Sequence, residues 1–144
     1  MGRPLQSAAT EAETRMRGLL IVDHGSRNEE ANARLLAFAQ RVAEARPDWL
    51  VEHAHMELAF PDFEAGVEAL VTRGARAILV HLHFLGTGFH VRETLPRLAD
   101  NLRARHPGIE IELTTPLGDD LRLVEIVLDQ MDAEPPRARQ SSKE

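Results

Sequence analysis

Four times along this chain a short apolar run is followed by a stretch of helical period, and that alternation limits the possible folds most sharply. Residues 19–22 form the first run. Residues 28–46 follow, with Leu35, Leu36, Phe38, Ala39, Val42 and Ala43 at helical spacing, until Pro47 closes them. Residues 50–58 read as a second strand, and after Pro61 the side chains Phe63, Val67, Leu70 and Val71 mark a second helix. Residues 77–85 make a third strand. Residues 91–105 make a third helix striped by Leu95, Leu98 and Leu102, with Pro96 in the early turns where proline is best tolerated. The fourth strand covers 109–114 and the last helix 121–131, striped by Leu121, Val124, Val127, Leu128 and Met131. Repeated β-then-α units imply an α/β fold, with a parallel sheet, right-handed crossovers and helices on both faces. The expected architecture is a flavodoxin-like three-layer sandwich of four strands in the order 2-1-3-4.

A chain of 144 residues suits one domain of ordinary size. The expected division is a flexible leader over 1–17, a single domain over 18–133 and a disordered tail over 134–144, which opens on Glu134-Pro135-Pro136. No apolar run approaches the roughly 20 residues of a membrane span, and the polar start lacks a signal-peptide core. A cytoplasmic protein with no membrane partner is expected. The formal net charge of -6 argues against nucleic acid as a partner. The absence of cysteine excludes disulfides and thiolate sites, so any metal is held by nitrogen and oxygen.

Seven histidines are more than packing alone requires, and His53, His55, His81, His83 and His90 fall in two strands or the turn that follows one of them. His24 and His90 stand in glycine-containing turns, Asp23-His24-Gly25-Ser26-Arg27 and Leu85-Gly86-Thr87-Gly88-Phe89-His90, each just after an apolar run. Ligands of open α/β sheets bind beyond the carboxyl ends of the strands, where strand order reverses. In the order 2-1-3-4, adjacent strand ends lie about 4.8 Å apart. His24, Glu57 and His83, with His90 one loop further, then converge on one edge. Imidazole ligates metals and titrates near neutrality, so the pattern points to metal handling or proton transfer. By strand alternation His53, His55 and Glu57 share one face of the second strand, and His81 and His83 one face of the third. The plainer reading of His53 and His81 is a structural hydrogen bond, of His106 solvation, and of Ser26 a helix cap. Arg27 by itself is more often a solvated charge than an anion ligand.

The glycines of Gly86-Thr87-Gly88 do not complete a dinucleotide fingerprint, because Val91 stands where the third is needed. No P-loop follows, and Ser26 does not sit in a nucleophile elbow. No nucleotide and no redox cofactor are expected.

Over about residues 19–131 the chain resembles the short sirohydrochlorin chelatases of the CbiX/SirB type, part of the class II chelatase superfamily. The resemblance rests on Asp23-His24-Gly25-Ser26-Arg27, Met56-Glu57-Leu58-Ala59-Phe60-Pro61, Phe84-Leu85-Gly86-Thr87-Gly88-Phe89-His90-Val91, Pro96 and Pro116-Leu117-Gly118, in that order. It implies a chelatase-like fold and ATP-independent insertion of a divalent metal (Co²⁺, Fe²⁺ or Ni²⁺, as substrate) into sirohydrochlorin or a related tetrapyrrole. It also implies His24 and His90 as catalytic residues and metal ligands, Glu57 as the acidic partner, a homodimer, and Leu85, Gly86, Thr87, Gly88 and Phe89 against the macrocycle. Ser26, Arg27 and Arg92 are local candidates for binding the carboxylated substrate. Departures from the family pattern at Leu82, Thr94, His55 and His83 leave two extra imidazoles, His55 and His83, as candidate metal ligands. The competing readings are a non-catalytic metal-delivery protein of the same fold and a tetrapyrrole-binding module without turnover. A histidine phosphatase is disfavoured, since Asp23 stands where such an enzyme needs a phosphate-binding arginine.

Overall fold

The computed structural model of the chain describes residues 16–133 and residue 136. Most of the expected leader and tail therefore lies outside the described residues. Four parallel strands, β1 (Arg17–Asp23), β2 (Leu50–His55), β3 (Ala77–Leu82) and β4 (Glu110–Leu113), form one sheet in the order β2-β1-β3-β4, as expected. Helices α1 (Glu29–Ala45), α2 (Phe63–Thr72), α3 (Phe89–Arg105) and α4 (Arg122–Ala133) follow the strands in turn, with a 3₁₀ turn at Leu117–Asp119 before the last.

Strand alternation divides the interior. Leu20, Val22, Ile78, Val80, Leu82 and Ile111 point to the side covered by α2 and α3 and join Phe63, Val67, Leu70, Leu95 and Leu102 in the main core. Ile21 points the other way, under Leu35 and Ala39 of α1, with Phe38, Val42 and Val51 around them. Helix starts follow from side chains: Asn28 and Asp62 accept from the backbone N–H groups of Ala31 and Ala65 and so cap α1 and α2. The α1 cap is thus Asn28. Ser26 instead accepts from the Asn28 N–H through its hydroxyl.

The strands end earlier than apolar content suggests. β2 stops at His55, because His55 N donates to Pro61 O while Met56 N turns to Asp23 O, and Leu58 adopts a φ of 72°. Glu57 accordingly lies in a bend beyond the strand and no longer continues the His53–His55 alternation. β3 stops at Leu82, after which β1 offers one more acceptor, Val22 O, to His83 N. β1 begins at Arg17, the last residue of the expected leader. No described helix is long and apolar enough to cross a membrane.

Candidate metal-handling site

Adjacent β-strand ends meet as the topology requires, and backbone hydrogen bonds tie their loops together. After β1, Asp23 O and His24 O accept from Met56 N and Glu57 N at 2.8 and 3.0 Å, which joins the Glu57 bend to the His24 turn. Gly25 has φ 89°, and a Cβ there would sit 1.9 Å from Glu57 O. Only glycine lets the two segments approach this closely. The turn is completed by Asn32 of α1, whose side chain accepts from Ser26 N at 3.0 Å and donates to Ser26 O at 2.7 Å. Sequence reasoning passed over Asn32, since one asparagine in the first turns of a helix looks like a solvated residue.

The His24 side chain is exposed, and its ring lies 4.4 Å from that of Phe84, a buried residue just after β3. Phe84 is fixed in turn, because its carbonyl accepts from Gly118 N at 2.9 Å. A Cβ on Gly118 would fall 1.6 Å from Leu85 O, so the 3₁₀ turn and the 85–88 loop are in direct backbone contact. At this edge four large apolar side chains, Leu58, Phe60, Leu85 and Phe89, are more than half exposed. Apolar groups gathered at a strand-end edge mark a surface that meets another molecule.

Two clefts flank the edge. One, of about 390 Å³, is lined by Ser26, Arg27, Glu29, Asn32, His53, His55 and residues 58–60. The other, of about 520 Å³, is lined by Gly86, Thr87, Arg92, Leu95, Pro96 and the 3₁₀ segment. The expected substrate-binding residues are thereby split, Ser26 and Arg27 in the first and Gly86, Thr87 and Arg92 in the second. Gly88 caps α3 and Phe89 begins it. His90 lies in the first turn of α3, and its side chain falls outside what the structure describes.

The two extra imidazoles lie on the opposite side of the sheet from Phe84. His55 is buried beneath α1 and donates from Nδ1 to Asp23 Oδ1 at 2.7 Å. His83 follows β3 on the same face, stacked on Phe38 at 4.6 Å, and its Nδ1 is hydrogen-bonded to His81 Nε2 at 3.1 Å. His53 meets His55 edge-on at 5.5 Å. Burial pushes the pKa values of His53, His81 and His83 down, and the neighbouring imidazoles add to this at His53 and His81. These rings are neutral at pH 7, the form that ligates metal. Among the described residues no three His, Asp or Glu side chains are grouped so as to hold an ion. His106 is half-buried and donates to Glu68 at 2.8 Å, where solvation was expected.

A single parallel sheet with an exposed histidine at its carboxyl edge, seated on a phenylalanine and laced to an acidic bend, defines a chelatase-like α/β protein. Residues 18–134 match the CbiX family, and the chain belongs to it. It is 36% identical to the chloroplastic sirohydrochlorin ferrochelatase of Arabidopsis thaliana, over 79% of this chain and 51% of that one. It is 29% identical to the sirohydrochlorin cobaltochelatase of Methanocaldococcus jannaschii, over 80% of this chain and 97% of that one. Among solved structures, SirB from Bacillus subtilis with Fe³⁺ superposes with a TM-score of 0.74 at 29% identity, over 84% of this chain and 48% of that one. The chain thus spans about half the length of the ferrochelatases it matches.

Proposed function

We propose that this chain is a lyase that inserts a divalent metal ion, Co²⁺, Fe²⁺ or Ni²⁺, into sirohydrochlorin or a closely related tetrapyrrole without ATP, acting as a homodimer. The observation that carries the reading is the exposed His24 ring on its Phe84 seat, joined through the backbone to Glu57 and rimmed by Leu58, Phe60, Leu85 and Phe89. A flat macrocycle with an apolar body needs such a rim, and carboxylates at its periphery suit Arg27 in one flanking cleft and Arg92 in the other. The names of the Arabidopsis and Methanocaldococcus relatives, and the iron in the SirB structure, agree with this chemistry.

Insertion exchanges two pyrrole N–H protons for one M²⁺, so the site must present an ion and accept protons. The exposed His24 imidazole holds the ion weakly or takes a proton, His90 acts as its partner, and Glu57 supplies the acidic third group. His55 and His83, placed under α1, are assigned at most an indirect part in holding the ion. Visible absorbance of sirohydrochlorin with Co²⁺, Fe²⁺ and Ni²⁺ in turn reads insertion directly. His24→Ala should lower the catalysed rate by roughly 100-fold or more, the usual scale for a positioned proton acceptor, with an unchanged melting temperature. A variant that inserts at the parental rate would remove His24 from the mechanism. If the parental protein binds metal but leaves the macrocycle spectrum at the uncatalysed rate, a delivery role replaces the enzymatic one.

A further inference from the structure

Two histidines on the edge strand of the sheet are not used by the site at His24. Strand alternation puts His53 and His55 on the α1 side of β2, opposite Ile21 and Asp23 of β1. Both line the cleft of about 390 Å³ between α1 and the 58–60 loop, whose rim carries one charge of each sign, Arg27 and Glu29. His55 is 1% exposed, and its Nδ1 donates to Asp23 Oδ1 at 2.7 Å. That bond fixes the ring and its tautomer, and it leaves Nε2, on the far side of the ring, with a lone pair. Of the described side-chain nitrogens and oxygens, only Trp49 Nε1 is sealed from solvent without a partner. Nε2 of His55, which no described group bonds, therefore opens on the cleft.

A histidine that donates one ring nitrogen to a carboxylate and turns the other outward has the arrangement that metal-ligating histidines use. The second imidazole is within reach. A first-row divalent ion sits about 2.0–2.1 Å from each ligating nitrogen, hence about 3.2 Å from each ring centre, so at a tetrahedral angle the two centres lie about 5.2 Å apart. The rings of His53 and His55 stand 5.5 Å apart and nearly perpendicular, at 83°. On β3 the corresponding pair is already engaged, since His81 and His83 are hydrogen-bonded to each other at 3.1 Å. Burial keeps His53 uncharged at neutral pH, the form that ligates.

We propose that His53 and His55 form a second site for a divalent first-row metal ion, which holds the ion before it passes to His24. Two nitrogens, with no third described His, Asp or Glu beside them, leave most coordination positions to water, so the ion exchanges readily. The way to His24 is short. Asp23, the hydrogen-bond partner of His55, precedes His24 in sequence, and a Cβ on Gly25, which follows it, would lie 3.0 Å from His55 Cβ. The site itself is independent of the insertion reading above, and only its role as supplier rests on that reading.

Ni²⁺ alone is the probe, because imidazole nitrogen suits it. Titrated by calorimetry into the His24→Ala/His90→Ala protein, which lacks both imidazoles of the candidate insertion site, it should bind as a single ion per chain. Adding His53→Gln should weaken that binding by roughly tenfold or more, the scale for losing even an outer-shell partner. No binding in the first protein, or unchanged binding in the second, would overturn the site. Proton spectra of the His24→Ala/His90→Ala protein need no further variant. The ring C–H signals of His53 and His55 should broaden before those of His81, His83 and His106 as paramagnetic Ni²⁺ is added, and any other order would also overturn the site. For the supply role, His53→Gln in the otherwise unaltered chain should raise the Co²⁺ concentration for half-maximal insertion severalfold, with the plateau rate unchanged. An unaltered Co²⁺ dependence would overturn that role. A chain that binds Ni²⁺ at His53 and His55 yet inserts no metal would uphold the site and overturn the insertion reading alone.

Discussion

Gly25 sets the geometry of the His24 turn by the atom it lacks. With φ at 89° and Glu57 O only 1.9 Å from where a Cβ would stand, alanine must both adopt a strained backbone and push the Glu57 bend away. Gly25→Ala should lower stability by about 2 kcal/mol, the scale of left-handed backbone strain, and should reduce insertion more than stability alone explains. Urea unfolding and the absorbance assay on one preparation check both, and a variant as stable as the parent would show that the turn can relax. The sequence already displayed His24, Gly25 and Glu57, because a histidine and a glycine after an apolar run are visible as residue types. It did not display Asn32, whose two bonds to Ser26 come from the next helix and have no local signature.

At the scale of elements, apolar periodicity located each strand and helix but overran β2 and β3 by three residues each (58 against 55, 85 against 82). The apolar residues among them serve a different purpose: Phe84 is the seat of His24, and Leu58 and Leu85 form the exposed rim. A strand stops where its neighbour stops offering hydrogen bonds, and no single segment carries that information. The 3₁₀ turn Leu117–Asp119 was missed likewise, being too short for periodicity, though it supports the 85–88 loop from behind. Gly118→Ala tests that support. The added methyl, 1.6 Å from Leu85 O, must displace one backbone or the other. A shift of about 1 Å near reacting groups commonly costs up to 100-fold in rate. Insertion should fall by roughly tenfold or more while the urea midpoint moves little, because the sheet and main core are untouched. Equal rates in variant and parent would show that the loop does not position the substrate.

For the whole molecule, the periodicity of α4 announced an apolar face without saying what covers it. The histidines beneath α1 raise a related matter, the cost of placing titratable rings inside a sandwich. His53, His81 and His83 have pKa values below the ordinary 6.5, chiefly from burial, with Asp23 pulling His83 partly back. As pH falls through 6.5 the unfolded chain takes up protons that the folded chain refuses, so stability falls with pH in that range. The contribution is complete above 6.5 and is lost progressively toward the lower folded values. Carboxylates act in a separate window. Glu68, held down mainly by its bond to His106, and Asp120, lowered to about 2 by Arg122, withdraw their contributions only below the usual carboxylate range. The urea midpoint of the metal-free protein should therefore decline as pH falls from about 6.5 to about 5.5, before Glu68 and Asp120 protonate. Replacing His81 and His83 together by glutamine should flatten that decline, since the amides keep polar partners without titrating. A parental midpoint level across the interval would mean that these rings accept protons as freely in the fold as outside it. The α1 face would then be open to water at these positions.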